Sequence, residues 1–235
     1  TRQVSSAASD VYKRQDQRFR NVESGQGWIA LELMRGNVEA ALRTLLTTTT
    51  RFEANRERRL KAALDRSWGD WRSCRDIAGK LGAHHSVFEH LGREPDDFGG
   101  AFFHVASRLR LIHLYAFQSL LFNRAVSQWM RSRVPQETRV VLAGIEGPRV
   151  AYQGEPPADA PPTFRLPGPG LDDVTDPEQH ELLSDALARE GLVPDRYRID
   201  GVPGFQLKGE DRALIITPRY LRVRPAEPDP MHRGA

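Results

Sequence analysis

The residues best suited to bind an anion or a polar ligand lie in one segment, 108–133, which holds five arginines and no acidic residue. Tyr115, Ser119 and Asn123 are spaced four residues apart in it, so a helix would place them along one side. The residues between them are mostly apolar, which predicts a helix buried over most of its circumference. A buried polar group without a partner costs about 1–3 kcal/mol. We therefore expect this polar stripe to pack against another polar segment or to line a site.

Other reactive side chains do not form a complete catalytic set. His84, His85 and His90 lack the spacing of a zinc protease, and few carboxylates lie near them in the sequence. Ser119 has no GxSxG elbow around it. Cys74, the single cysteine, has an arginine close on each side, which could lower its pKa, but we interpret it as a partly exposed helical cysteine without a role. One cysteine excludes an internal disulfide framework. The glycine-rich turns lack the lysine of a phosphate-binding loop.

The composition is that of a globular protein with one large domain or two small ones. The chain has 235 residues, of which 39% are hydrophobic and 28% charged, and its formal net charge is +3. The longest apolar run, 111–122, is too short and too polar to span a bilayer, and no signal peptide is recognisable. We therefore expect a cytoplasmic protein.

Charge is unevenly distributed along the chain. Residues 1–15 look foreign to the fold, as a sequencing-adapter artefact or a disordered native tail would, and they carry most of the positive excess. Segments 51–75 and 108–133 are rich in arginine, whereas segment 154–200 carries eleven acidic residues. One half of the chain could therefore face a polyanion, and the other half would not.

The pattern of elements predicts an α+β fold. Apolar residues at helical spacing predict helices across most of 16–133. After that, β-branched segments at 139–143 and 149–152 predict a hairpin. A helix should extend from Asp176 to Glu190, with Thr175 or Asp176 as its cap, Pro177 in its first turn and a stop at Gly191. The predicted organisation is a foreign or disordered tail (1–15), a helical part (16–135), a smaller mixed part (136–225) and a short terminal segment (226–235).

Three motifs, in this order, resemble those of the TruD family of tRNA pseudouridine synthases. Segment 16–20 (DQRFR) resembles the QRFG of a family segment, although Arg20 stands where the family has glycine. Segment 115–123 (YAFQSLLFN) is similar to the family motif HAYQSxLFN and is the most specific of the three. Segment 164–168 (FRLPG) resembles the family's LPG turn and is followed by a helix and a G-x-x-R element at 209–212.

The resemblance implies an isomerase that converts a uridine of tRNA, by family the one at position 13, into pseudouridine without metal or cofactor. In such enzymes an aspartate is the nucleophile, and the target base is flipped out of its stack. The aspartate motif would precede residue 16, and the closing segment of the catalytic domain would follow residue 235. We therefore expect an internal fragment without a catalytic residue. Residues 16–135 would be the helical portion of a catalytic domain, and residues 136–225 would be a TRUD-type insertion domain. Residues 226–235 would be the truncated start of the return toward the catalytic domain.

The resemblance and the arginine content together predict the residues of an RNA-binding surface or cleft. Those near residue 16 would form its rim or floor, and those of the polar stripe would brace the catalytic domain or reach toward it. The stripe could instead only satisfy backbone groups of neighbouring elements, and each arginine could be solvated or salt-bridged. The predicted RNA-binding or cleft residues are Gln17, Arg18, Phe19, Arg20, Arg108, Arg110, Tyr115, Gln118, Ser119, Asn123 and Arg124, with Arg131 and Arg133 as further phosphate contacts.

Two other functions stay open at this point. The chain could be a non-catalytic RNA-binding module whose helical half is an arginine-lined platform. It could also be a helical structural protein that binds another protein through its acidic second half. In the preferred interpretation we expect a monomer with tRNA as partner, no membrane and no metal.

Overall fold

The computed structural model describes residues 27–49, 53–80, 82, 84–142 and 147–216. The motif at 16–20 and the predicted terminal segment 226–235 lie outside these residues. Eight α-helices are described: α1 (Ile29–Met34), α2 (Val38–Thr47), α3 (Asn55–Arg66), α4 (Trp71–Ala78), α5 (His85–Arg93), α6 (Phe98–Phe103), α7 (Ser107–Arg133) and α8 (Pro177–Ala188). Four strands are described: β1 (Arg139–Leu142), β2 (Arg149–Tyr152), β3 (Thr163–Leu166) and β4 (Glu210–Ala213).

Two antiparallel pairs make up the described strands, so the predicted α+β class is confirmed. β1 pairs with β2, with Arg139 opposite Tyr152, which confirms the predicted hairpin. β3 pairs with β4, with Thr163 opposite Ala213, although 43 residues lie between the end of one strand and the start of the other in the sequence. The second pair therefore places β4, which belongs to the G-x-x-R element, beside β3, which leads into the LPG turn.

Aspartate side chains cap the starts of helices α4, α6 and α8. The Asp176 side chain accepts a hydrogen bond from the backbone N–H of Gln179, and Pro177 occupies the first position of α8, as predicted. In α4 the Asp70 side chain accepts from the backbone N–H of Ser73 at 3.1 Å. These caps satisfy backbone donors that a helix start leaves free.

Helix α7 forms the centre of the hydrophobic core. Its buried side chains extend around most of the helix, as expected, and α7 packs against α1, α8, β2 and β3. Phe117 contacts Trp28 before α1, with ring centroids 5.9 Å apart. Phe122 meets Phe164 of β3 edge to face at 5.7 Å. One helix thus supports both the helical part and the mixed part of the chain.

No helix within the described ranges is long and apolar enough to cross a membrane.

Candidate functional site

Gln118 joins the middle of α7 to the mixed part of the chain. Its side chain is fully buried. Its Nε2 donates to the carbonyl oxygen of Pro167, in the LPG turn, at 2.9 Å and to that of Lys208 at 3.2 Å. The Gln118 amide therefore satisfies backbone groups of two neighbouring segments, which is one of the two roles the sequence left open for it.

The LPG turn is held by an ion-pair network. Arg165 donates through Nη2 to Asp173 at 2.6 Å and through Nη1 to Asp211 at 3.1 Å. The second carboxylate oxygen of Asp173 accepts the backbone N–H of Gly168 at 2.9 Å. The hydrogen bond to Asp173 raises the pKa of the Arg165 guanidinium, so this arginine stays charged. We call Gln118, Arg165, Asp173, Tyr197 and Asp211 the polar seam.

Gly209, at the start of the G-x-x-R element, allows the polar seam to close. A Cβ at this position would lie 1.6 Å from Oδ2 of Asp173 and 2.7 Å from Nη2 of Arg165. No side chain fits there without displacing the ion pair. Arg212, the last residue of the element, lies over the ring of Phe122 of α7, with its Cζ 5.6 Å from the ring centroid. The element thus places a glycine and an arginine against two different partners.

Tyr197 completes the seam from a loop after α8. Its side chain is fully buried, and burial raises its pKa, so the phenol stays neutral. Its backbone carbonyl accepts the N–H of Gly170 at 3.0 Å, which ties this loop to the end of the LPG turn. The seam therefore gathers residues from α7, from both sides of the turn and from β4.

The polar stripe of α7 changes environment along its length. Tyr115 is 43% exposed, whereas Ser119, one turn later, is 5% exposed. Asn123 is half-buried and lines a small cavity of about 20 Å³ together with Arg124 and Ser127. The stripe therefore runs from the surface into the packed interior, and the structure does not gather its members around one open site.

Arg110 is buried within protein. It is 7% exposed, and its Nη1 donates to the carbonyl oxygen of Pro203 at 2.6 Å. Its guanidinium lies 5.6 Å from the ring centroid of Phe103, close enough for a cation–π contact. A phosphate contact by Arg110 stays a prediction, and the role visible in the structure is to hold the 200–205 loop against α6 and α7.

The arginines in the C-terminal half of α7 pair with acids of the mixed part. Arg124 forms an ion pair with Glu190. Arg133 binds Asp159 at 3.0 Å and Glu178 at 2.6 Å. Part of the acidic charge that the sequence concentrates in 154–200 is therefore neutralised within the chain. Two arginines of α7 are exposed and have no ion-pair partner among the described residues: Arg108 and Arg131.

The histidine and cysteine candidates supply no further site. Cys74 is fully buried, and its thiol donates to the carbonyl oxygen of Ser67 at 3.2 Å. Burial raises the pKa of the Cys74 thiol to about 11, and the predicted partial exposure of this cysteine is wrong. His90 contacts Asp97 at 2.9 Å. Within the described part of the chain, no group of three or more histidine, cysteine, aspartate or glutamate side chains could hold a metal ion.

Sequence reasoning found the motifs of the polar seam but missed most of its members. Arg165, Asp173, Tyr197 and Asp211 were not among the predicted site residues. Arg165 and Asp211 lie inside the FRLPG and G-x-x-R motifs and Asp173 follows the LPG turn, so proximity to a motif was an available signal. Tyr197 carries no such signal, because it belongs to no motif. The motif residues 17–20 lie outside the described residues.

These features define an α+β chain in which a central helix joins a helical part to a smaller mixed part through buried polar contacts. A family model described as tRNA pseudouridine synthase D (TruD) matches residues 15–231. The chain belongs to the TruD family.

Individual relatives agree with this assignment. The chain is 32% identical to a probable tRNA pseudouridine synthase D 1 of Methanococcus maripaludis, over 94% of this chain and 57% of the relative. It is 28% identical to a probable tRNA pseudouridine synthase D 2 of Methanocaldococcus jannaschii, over 93% of this chain and 52% of the relative. The chain thus spans about half the length of the curated relatives it matches. A TruD crystal structure from Methanosarcina mazei shares the fold, with a TM-score of 0.55 and 16% identity over 79% of this chain and 47% of that one.

Proposed function

We propose that the whole protein is a tRNA pseudouridine synthase that isomerises a uridine of tRNA, by family the one at position 13, into pseudouridine. The observation that carries the proposal is the family match over residues 15–231. Contacts around Gln118 support it, because hydrogen bonds and packing join two of the motifs, YAFQSLLFN and FRLPG, with the G-x-x-R element. The relatives named above carry the same activity in their names.

In this proposal the chain supplies positioning rather than the nucleophile. Residues 16–135 are the helical portion of a catalytic domain, and residues 136–225 are the insertion domain. The polar seam holds the two at a fixed angle, so that a bound tRNA would meet both parts in a constant geometry. We assign no catalytic residue to the chain, because none of its motifs matches the one that carries the family aspartate.

The predicted site residues then fall into two groups by exposure. Arg108, Tyr115 and Arg131 are exposed, which leaves them available to phosphates and bases of RNA. The buried, half-buried or ion-paired group supports the cleft from within, as Gln118 does, and consists of Arg110, Gln118, Ser119, Asn123 and Arg124. Gln17, Arg18, Phe19 and Arg20 keep their proposed place at the rim of the cleft. We further propose a cytoplasmic monomer that works on tRNA without a metal or cofactor.

Tritium release from tRNA labelled at C5 of uridine tests the reaction, because pseudouridine formation exchanges that hydrogen with water. We expect release with the whole protein and none with a tRNA that carries cytidine at position 13. A whole protein that binds tRNA without releasing tritium would favour the non-catalytic binding module. Release by the 235-residue chain alone would contradict our view that the nucleophile lies outside it.

A further inference from the structure

Helix α3 presents a row of arginines to solvent. Arg56, Arg59 and Arg66 are exposed, and we call them the α3 arginine face. Arg59 and Arg66 are seven residues apart, which places them on the same side of the helix at a separation of roughly 10 Å. Arg56 lies one turn before Arg59. The opposite side of α3 is anchored in the core by Leu64, which is fully buried.

The acidic residues of α3 do not neutralise this face. Glu57 is half-buried, and its charge acts on His84, a residue that packs beside α3. Asp65 binds Arg43 of α2 at 2.9 Å. None of the three arginines of the face forms an ion pair with any residue that the structure describes. Within the described part of the chain, the face therefore carries three positive charges without a counter-ion.

The other two cations of α3 are used within the chain. Lys61 binds Glu53 at 2.5 Å and the carbonyl oxygen of Thr48 at 2.9 Å. Arg58 donates through Nε to the carbonyl oxygen of Glu53 at 3.1 Å. These contacts attach α3 to the segment before it and leave the α3 arginine face as a separate, outward group.

The chemistry of this face fits phosphate better than a lipid surface. Guanidinium groups bind phosphate oxygens through two parallel hydrogen bonds, and they remain charged at any physiological pH. An interfacial helix also needs large apolar residues beside its cations in order to enter a bilayer. None of the exposed large hydrophobic residues of the described chain lies on α3. A row of charges without apolar neighbours is suited to a partner with regularly spaced anions.

We propose that the α3 arginine face binds the phosphate backbone of tRNA, at a surface separate from the polar seam and from α7. This inference rests on the proposed function, since tRNA is the polyanion that the enzyme would have to hold. The α3 arginine face would contact phosphates, which adds affinity and fixes orientation but does not recognise the nucleotide sequence. The face would hold a part of the tRNA away from the target uridine.

The test is tRNA binding by the 235-residue chain, measured by fluorescence anisotropy between 50 and 200 mM salt. A triple variant carries Arg56→Gln, Arg59→Gln and Arg66→Gln. We expect its affinity at low salt to fall ten- to a hundredfold, and the slope of log Kd against log salt to fall by about two, because three phosphate contacts are lost. A triple Lys variant at the same positions should keep most of the affinity and most of the slope.

The matched control removes the same charge from other surfaces. Lys80, Arg196 and Arg198 are exposed, form no ion pair among the described residues and lie outside α3 and α7, so replacing all three with Gln should change the affinity by no more than about threefold. Equal effects of the two triple variants would overturn the inference. Loss of binding to vesicles of phosphatidylserine and phosphatidylcholine in the α3 variant, with tRNA binding intact, would also overturn it, in favour of a lipid surface.

Failure of the inference and failure of the proposed function give different results. If wild-type chain binds tRNA and the α3 variant binds it equally well, the inference fails and the enzyme proposal stands. If the α3 variant loses tRNA binding but the whole protein releases no tritium, the inference stands as an RNA-binding surface and the enzyme proposal fails. Wild-type chain that does not bind tRNA would overturn the inference.

Discussion

Helices α3 and α7 are both rich in arginine, yet they use it in opposite ways. In α7, Arg110 is buried against a backbone carbonyl, and Arg124 is paired with Glu190. In α3, Arg59 and Arg66 face solvent and have no ion-pair partner among the described residues. The difference lies in what packs beside each helix. The acidic mixed part covers the C-terminal half of α7, whereas no acidic segment of the described chain covers the outward side of α3.

A high density of arginine therefore does not by itself identify a polyanion-binding surface. An arginine that is buried or salt-bridged stabilises the protein and is unavailable to phosphate. An exposed arginine without a partner adds little to stability and keeps its full charge toward solution. The following substitutions measure that difference through the free energy of unfolding of the chain.

The largest loss of stability should come from Gln118→Leu in α7. Leucine has a similar size, but it leaves the buried carbonyl oxygens of Pro167 and Lys208 without their donor. At about 1–3 kcal/mol for each unsatisfied group, we expect a loss of about 2–4 kcal/mol in urea-induced unfolding. A loss below about 0.5 kcal/mol would show that the polar seam does not hold the two parts together.

Arg110→Met should lower the free energy of unfolding by less than Gln118→Leu does, and Arg108→Met should hardly change it. The Arg110 change removes the hydrogen bond to Pro203 and the contact with Phe103, for which we expect about 1–3 kcal/mol. Arg108 is exposed on the same helix, so its replacement should stay within about 0.5 kcal/mol. Equal effects of these two variants in thermal unfolding would remove the distinction between buried and free arginines in α7.

The ion pair of Arg124 with Glu190 should have a smaller, measurable coupling energy. Both side chains are largely covered, with 25% and 15% of their surfaces exposed, so solvent screens the pair only in part. A double-mutant cycle with Arg124→Met and Glu190→Gln should give about 1 kcal/mol of coupling. A coupling energy of zero would mean that pairing with the acidic half of the chain does not stabilise α7.

The smallest effect should come from the α3 arginine face. The double variant with Arg59→Gln and Arg66→Gln removes no ion pair seen between described residues, so the free energy of unfolding should change by no more than about 0.5 kcal/mol. Glutamine is nearly as good a helix former as arginine, so α3 itself should persist in circular dichroism. A loss of more than 1 kcal/mol would show that these arginines have structural partners and would weaken the contrast with α7.

The structural elements that depend on residues close together in the sequence were predictable. The apolar spacing of 108–133 predicted a buried helix, and α7 extends over Ser107–Arg133. The Asp176 cap and Pro177 predicted the start of α8, and β-branched segments predicted the β1–β2 hairpin. Each of these elements depends on hydrogen bonds and side-chain periodicity within a few residues, which the sequence displays directly.

The candidate site was predictable only in part, because its contacts join distant segments. Gln118 was expected to meet a polar partner, but its partners Pro167 and Lys208 lie 49 and 90 residues away. Nothing local marks Tyr197 as buried. Cys74 shows the same limit, since the sequence predicted a partly exposed thiol and tertiary packing buries it, which raises its pKa.

The sequence by itself determined the family, the central helix and the uneven distribution of charge, because motifs and composition are properties of the chain order. The tertiary structure alone decided which arginines remain free. Arg124 and Glu190 are 66 residues apart, and Arg110 and Pro203 are 93 residues apart, yet each pair is in direct contact. Packing across such distances sets burial and ion pairing, and these two quantities separate an arginine that stabilises the fold from one that can bind a partner.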